Sequence, residues 1–294
     1  MLEDIKRIRI EDYDYPLDQE KIAQYPLEKR DLSKLMVAKN ASIEQDSFSN
    51  LHQYLPDNSM IVFNETRVIH ARMRFQKPTG AQIEVFCLEP LSPTTEIQSA
   101  FEVKESTTWK CLIGNAKKWK EGNLSKVISI DGNEVELKAE RLEAISNAHQ
   151  VRFSWSPSNI HFSSIIEHSG SIPLPPYMNR DSEEEDSNRY QTVYAKHEGS
   201  VAAPTAGLHF TTDVLNRLSE KNIVQEFISL HVGAGTFKPV DAEEIGNHEM
   251  HREQIVFSKK NIENLLNHLP KPVIAVGTTS TRSLESLYWF GAKL

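Results

Sequence analysis

Two runs of small residues carry the chain's clearest chemical potential. Arg189–Phe210 reads RYQTVYAKHEGSVAAPTAGLHF, and further on Leu230–Phe237 reads LHVGAGTF. Neither run alternates apolar and polar residues as a half-buried strand would, and neither shows the spacing of an amphipathic helix. Gly199 and Gly207 permit a positive φ or a close backbone approach, and Pro204 stiffens the turn between them. Ala202 and Ala203 leave room for a ligand, while Thr205 and His209 supply polar contacts. The combination reads as backbone shaped to approach a ligand, with His209 and His231 beside it, in preference to a tight turn packed on a sheet.

Gly233-x-Gly235-Thr236 follows a strand, but it is not GxGxxG and no helix opens directly behind it, so as a phosphate cradle it is weak. The run Gly277-Thr278-Thr279-Ser280-Thr281-Arg282 is better placed. It joins the apolar strand PVIAV to a helix whose first N–H groups favour an anion or polar ligand. Taken singly, each is equally readable as a tight turn. His248, His251 and Glu253 stand in HEMHRE, which is not the HExxH helix of a metalloprotease and indicates no third ligand. We therefore expect no metal, and read the three as hydrogen-bonding or acid–base groups near a ligand. Asn64-Glu65-Thr66-Arg67 suits polar recognition at a strand end, or a capped turn.

The elements that must position these residues fall into two textures. The first segment reads as α/β: a short helix at Leu17–Gln24, a brief strand at Leu35–Ala38, helical spacing of Phe48, Leu51 and Leu55 behind Asp46 or Ser47, and a buried strand at Met60–Phe63. After Arg72 come short strands at Ala81–Leu88, Trp109–Ile113, Leu124–Ile130, Glu134–Ala139 and Gln150–Trp155, separated by turn signals such as Asp131-Gly132-Asn133. Closely spaced short strands predict a small antiparallel barrel or sandwich, which we place at 72–156. From Ser158 the α/β texture returns. Thr211 or Thr212 caps a helix running to Lys221, and Val224–His231 is a strand. Ser258 caps a helix with Ile262, Leu265, Leu266 and Leu269 on one face, Pro272–Val276 is a strand, and a helix spans Ser283–Phe290. The expected fold class is thus α/β: a mixed α/β main domain with Rossmann-like layers, discontinuous over 1–71 and 157–294, carrying an inserted small antiparallel β-barrel over 72–156.

Length and composition bound the class. The 294 residues are 39% hydrophobic and 25% charged, as in a soluble globular protein of about two domains. There is no membrane-spanning run and no apolar core of a secretory signal, so a cytoplasmic location is expected. The two cysteines, Cys87 and Cys111, lack CxxC spacing and are expected to be buried free thiols. A net charge of −8 argues mildly against a nucleic-acid partner. The basic residues are regional, however, and by composition alone they read more readily as a charged barrel surface than as a nucleic-acid footprint. Arg67, Arg72, Arg74, Lys77 and His70 fall in a stretch without acidic residues, and Trp109–Lys120 interleaves Lys110, Lys117, Lys118 and Lys120 with two tryptophans. The opposing run Glu183–Asp186 reads as a solvated, flexible acidic loop.

Seven runs, YPLEKRDLSKLMV, IVFNETRVIHARM, GSIPLPPYMNR, RYQTVYAKHEGSVAAPTAGLHF, LHVGAGTFKPV, HEMHRE and VIAVGTTSTRSLES, together resemble the S-adenosylmethionine:tRNA ribosyltransferase-isomerase family of queuosine biosynthesis. The resemblance runs from about Asp12 to Ser286 and is thinnest in the inserted strands. His70 stands where the family has Pro, and Lys34 where it has Arg. The family also continues well past Leu294, so the chain is expected to be C-terminally short.

The resemblance implies a specific reaction. The ribosyl part of S-adenosylmethionine is transferred to, and isomerised on, 7-aminomethyl-7-deazaguanine at the tRNA wobble position, giving epoxyqueuosine with release of adenine and methionine. S-adenosylmethionine is then a co-substrate and ribosyl donor, with no metal required, and the protein a monomer. The implied chemistry needs a base for a proton at C5′ beside the sulfonium and an acid for the departing adenine. His209, His231, His248 and His251 are the candidate proton-transfer groups, without an assignment of acid and base. Thr205, Thr236 and Glu253 would hold the sugar or its oxyanion. Gly199, Ala203, Pro204, Gly207, Gly233, Gly235, Gly277, Thr278 and Thr279 would surround S-adenosylmethionine. Arg67, Arg72, Arg74, Lys77, Lys117 and Lys118 would meet tRNA phosphates. Two other readings stand beside this one: a truncated relative that binds tRNA or S-adenosylmethionine without turnover, and an S-adenosylmethionine enzyme acting on a small molecule.

Overall fold

The two textures of the sequence become two sheets. The structure, a computed structural model, describes residues 5–237, 240, 242–248, 250 and 253–294. In chain order the strands are β1 (Lys34–Lys39), β2 (Ser42–Ser47), β3 (Met60–Asn64), β4 (Thr66–Val68), β5 (Arg72–Gln76), β6 (Gln82–Ser92), β7 (Ser106–Gly114) and β8 (Leu124–Ile130). They continue with β9 (Asn133–Ile145), β10 (Ala148–Ser156), β11 (Gly170–Ser171), β12 (His197–Ser200), β13 (Val224–His231), β14 (Gln254–Val256) and β15 (Val273–Ala275). Among the described residues they form a seven-stranded sheet in the order β11-β5-β6-β7-β10-β9-β8, a four-stranded sheet β14-β13-β3-β15, and the pairs β1-β2 and β12-β4.

The four-stranded sheet is mostly parallel: β3 runs parallel to both β13 and β15, and β14 closes the far edge antiparallel to β13. Every residue of β3 is buried, as expected of a strand covered on both faces. The period of two divides its side chains between two cores. Ile61 and Phe63 pack with Phe210, Val214 and Leu218, the last two on the helix Thr212–Glu220. Met60 and Val62 pack with Ile228, Leu265 and Leu284. Thr211 caps the helix Thr212–Glu220 by accepting from the Val214 N–H at 3.3 Å.

The seven-stranded sheet is antiparallel throughout and curled around a separate core. Asp131 and Gly132, at φ +50° and +80°, form the two-residue turn between β8 and β9. The helix Phe162–Ser169 supplies Phe162, Ile165 and Ile166 to this core, and the Phe162 ring meets Trp109, Phe153 and Trp155. The expected barrel is thus a curled sheet with two ends. Among the described residues those ends share no strand ladder. Lys126 on β8 bridges them instead, donating from Nζ to the carbonyls of Arg74 on β5, at 3.2 Å, and of Ser169. Its burial lowers the ammonium pKa to about 8. Cys87 and Cys111 face each other in this core as buried free thiols, with Sγ atoms 3.9 Å apart.

Four local expectations are corrected. At Leu17–Gln24 only the 3₁₀ turn Gln19–Lys21 forms, because Asp18 makes no capping bond and the segment has no buried face. The last helix begins at Gly277 and not Ser283, so GTTSTR is its first turns and not a loop leading to it. In the helix Lys259–His268, Leu265 packs inward while Ile262, Leu266 and Leu269 are exposed. Its phase is set by polar groups: Asn261 and Asn264 both donate to the Glu226 carboxylate on β13, turning that side to the sheet. The acidic run Glu183–Asp186 is anchored, since Asp186 is buried and accepts two hydrogen bonds from Arg180 at 2.7 and 2.8 Å. Among the described residues no helix is long and apolar enough to cross a membrane.

Candidate active site at the carboxyl ends of the parallel strands

In an open parallel sheet, ligands bind outside the carboxyl ends of the strands, where loops and helix starts converge. Here β3 ends at Asn64, β13 at His231, and β15 leads through Val276 into Gly277. The segment 199–210 crosses these ends. The Val201 N–H donates to the Val232 carbonyl at 2.8 Å. Farther along, a Cβ on Gly277 would lie 3.2 Å from that of Ala206. The first run of small residues and the GTTSTR turn therefore meet, as a ligand cradle requires.

Asn64 and Thr66 lock this edge in place. Asn64 Oδ1 accepts from the Leu230 N–H at 3.1 Å, while Thr66 Oγ1 and Asn64 Nδ2 donate to the Leu230 carbonyl at 2.8 and 3.0 Å. All these groups are buried. Of the two readings of Asn64–Arg67, the structural one holds for Asn64 and Thr66.

His231 is 3% exposed, yet neither ring nitrogen has a hydrogen-bond partner among the described residues. A buried imidazole ordinarily satisfies both nitrogens, so the site is incomplete as it stands. Gly199, at φ +139°, lies against the ring. Burial lowers the His231 pKa, the Glu96 carboxylate opposes that, His197 adds to the lowering, and the Gly199 backbone also opposes it. Two residues on, the Gly233 N–H donates to Glu253 Oε1 at 3.3 Å. The Glu253 side chain, 5% exposed, reaches Arg282 of the last helix at 4.0 Å. His231, Gly233 and Glu253 are thus brought together, with Arg282 closing the group.

The remaining expected site residues are distributed more widely. His209 turns toward the amino-terminal hairpin, with Nδ1 3.0 Å from Ser33 Oγ and its ring 5.3 Å from that of Phe48, and is not hydrogen-bonded to His231. Thr205 and Thr236 are exposed, Gly235 is half-buried, and Ala203 is buried beside Val68 and Leu174. Pro204 opens the turn by accepting from the Gly207 N–H at 2.8 Å. Gly207 is required by packing, since a Cβ would strike the Tyr194 hydroxyl. Thr278 is exposed and Thr279 half-buried on the last helix. His248 Nδ1 is buried without a partner among the described residues. His251 lies outside the described residues. Among the described residues no three His, Cys, Asp or Glu side chains converge as a metal site would need.

The basic residues divide into two groups. Arg67 pairs with Glu167 at 3.9 Å, Arg72 and Arg74 share Glu84 at 3.6 Å, and Arg74 also binds Asp181. Their charge is largely answered within the protein. Lys77 donates to the Lys118 carbonyl at 3.0 Å, so half-buried Lys77 and the exposed Lys117 and Lys118 form one cationic group without a described carboxylate partner. Trp109 and Trp119 are core residues and unavailable for stacking on bases.

Glu96, Tyr194 and Arg282 are the neighbours of the site that the sequence did not single out. Arg282 was legible as the last residue of GTTSTR. Glu96 has no motif around it and lies in the other sheet's connection, so only the packing reveals it.

Residues 10–292 match the family model described as "Queuosine biosynthesis protein". The chain is 39% identical over 290 residues to the S-adenosylmethionine:tRNA ribosyltransferase-isomerase of Sulfurihydrogenibium sp. (strain YO3AOP1), covering 97% of this chain and 79% of that protein. With the enzyme of the same name from Halothermothrix orenii it shares 39% over 284 residues, 95% of this chain and 77% of the relative. A crystal structure of S-adenosylmethionine tRNA ribosyltransferase from Thermotoga maritima aligns with a TM-score of 0.39 at 26% identity, over 94% of this chain and 72% of that one. A match along nearly the whole chain, with the small-residue runs and the strand ends in place, shows that the chain belongs to the queuosine biosynthesis protein family.

Proposed function

We propose that the chain is a tRNA-modifying enzyme. It transfers the ribosyl moiety of S-adenosylmethionine to 7-aminomethyl-7-deazaguanine at the wobble position of tRNA and isomerises it there. The products are epoxyqueuosine-tRNA, adenine and methionine. The observation that carries this reading is the 38–39% identity to enzymes of that name over 94–97% of the chain. The convergence of loops at the strand ends supports this reading. S-adenosylmethionine would lie across the carboxyl ends of β3, β13 and β15, with the backbone of Gly199, Ala203, Pro204, Gly207, Gly233, Gly235 and Gly277 against it and Thr278 and Thr279 at the helix start.

His231 is the best-supported proton-transfer group, because its two buried nitrogens have no hydrogen-bond partner among the described residues and its depressed pKa keeps it neutral and ready to accept a proton. Glu253, held between Gly233 and Arg282, is placed to orient sugar hydroxyls. His209, His248 and His251, with Thr205 and Thr236, form the outer part of the same proposed site. The tRNA would reach it along the Lys77, Lys117 and Lys118 group, with Arg67, Arg72 and Arg74 nearby. We take 1–71 and 157–294 as the main domain and 72–156 as an inserted barrel-like domain, to which the helix Phe162–Ser169 and β11 of the main segment are packed, the protein acting as a cytoplasmic monomer without a metal.

The test is direct. Incubation with S-adenosylmethionine and tRNA bearing 7-aminomethyl-7-deazaguanine should release adenine and yield the epoxy nucleoside in tRNA. Binding of either substrate with no adenine release would instead identify a non-catalytic relative, and adenine release without tRNA would point to a small-molecule acceptor.

A further inference from the structure

The short helix Ile97–Phe101 belongs by sequence to the antiparallel sheet, lying between β6 and β7, yet it is fastened to the parallel one. Gln98 Nε2 donates to the Glu198 carbonyl, and the Ile97 N–H donates to Gln254 Oε1 at 3.4 Å. Gln254 is the residue directly opposite His231 in the β13–β14 ladder. Ile97 Cγ2 also lies 2.6 Å from where a Cβ on Gly199 would stand, and Gly199 is the residue against the His231 ring. Ile97 therefore touches both the ladder partner and the backbone neighbour of His231, which brings Glu96, one residue earlier, into the neighbourhood of the imidazole without a hydrogen bond or ion pair to it.

The Glu96 carboxylate is itself held in place. It caps its helix, accepting from the Gln98 N–H at 3.0 Å and the Ser99 N–H at 2.6 Å. Burial would raise its pKa, but these donors and His231 bring it below the usual carboxylate range, so the group is an anion at neutral pH. The other charged neighbour of the imidazole is His197 on β12, which is 3.7 Å from Glu65. Gln254, on β14, is neutral.

We propose that Glu96 is a positioning residue for His231: its carboxylate, fixed by its own helix cap and delivered by the antiparallel sheet, stabilises the cationic form of the imidazole as the proton moves. This rests on the reading of His231 as a proton-transfer group. It also gives the antiparallel sheet a part in the chemistry besides any contact with tRNA.

Glu96→Ser keeps a capping oxygen and removes the charge, Glu96→Gln does the same with a side chain of equal length, and Glu96→Asp keeps both cap and charge. Two readouts are needed: NMR titration of the His231 ring in the substrate-free protein, assigned with His231→Gln, and the pH profile of single-turnover adenine release. In Glu96→Ser and Glu96→Gln the His231 midpoint should fall, because the carboxylate no longer opposes burial and His197. The rate limb should move to lower pH in step, with kcat at neutral pH down about tenfold and KM within about twofold. Glu96→Asp should restore both. An unchanged His231 midpoint in the charge-free variants overturns the proposal, even if they are slow. A falling midpoint in a protein that releases no adenine, wild type included, overturns the enzymatic reading while supporting the Glu96–His231 coupling.

Discussion

Gly199 lies against the imidazole of His231 so closely that a Cβ at that position would overlap Nδ1. The contact joins the two small-residue runs, and it needs both the missing side chain and a φ of +139° that L-residues rarely adopt. Gly199→Ala should therefore push the ring out of place. The expected loss is about 2 kcal/mol of stability from backbone strain, with adenine release down about a hundredfold. Chemical denaturation and single-turnover assays would check the two effects separately, and wild-type rates in Gly199→Ala would show that the ring position is unimportant.

A second glycine offers a double-mutant test. A Cβ on Gly207 would strike the Tyr194 hydroxyl, a buried group with no hydrogen-bond partner among the described residues. Tyr194→Phe removes an unsatisfied polar atom and should be neutral or stabilising. Gly207→Ala alone should cost about 1–3 kcal/mol from overpacking, and adding Tyr194→Phe should recover part of it. Thr192 Cγ2, 2.9 Å from the same point, prevents full recovery. A purely additive double mutant would contradict the contact.

His231 also gives a pH dependence to folding. Its pKa in the fold is below the ordinary 6.5, chiefly through burial, so near and below 6.5 the unfolded chain binds more protons than the folded one. Stability should rise as pH increases through the window from the depressed pKa to 6.5 and gain nothing further from this group above it. His231→Gln should flatten that part of the curve. Thermal melts between mildly acidic and neutral pH test this, and an unchanged slope in the variant would refute it.

The Arg180–Asp186 pair should be a stability determinant apart from the site. Both side chains are largely buried, at 12% and 8% exposure. Asp186→Ala leaves the guanidinium without its carboxylate and should cost about 3 kcal/mol in denaturant unfolding. Asp186→Asn, which still accepts one hydrogen bond, should cost less. Equal losses would mean that the charge contributes little.

For tRNA binding, the structure favours lysines over the paired arginines. Lys117→Glu with Lys118→Glu should weaken tRNA affinity at least about tenfold and reduce the log–log salt slope by about 2. Arg72→Gln should change the slope less, because Glu84 already neutralises part of its charge. The reverse order, measured by filter binding over a salt series, would place the tRNA on the arginine side.

The sequence by itself determined much of this protein. The strands Leu124–Ile130 and Val224–His231, the Thr211 and Ser258 caps, the Asp131-Gly132 turn and the small-residue runs were all legible. Each is set by residues adjacent in the chain, through side-chain period, turn chemistry or local capping. The family was legible for the same reason, since its motifs are contiguous runs. Tertiary structure decided what depends on residues far apart. It turned Asn261 toward Glu226 and so rotated the expected face of a helix, keeping Leu265 inside and exposing Ile262 and Leu266. It joined the ends of the curled sheet through Lys126, and it paired Arg72 and Arg74 with Glu84. At the site it separated His209 from His231, buried both nitrogens of the latter, and brought Glu96 to it from the other sheet. The fold of each element follows from its own residues, whereas an imidazole's charge depends on its burial and on the anions facing it, and those are fixed only when the two sheets pack.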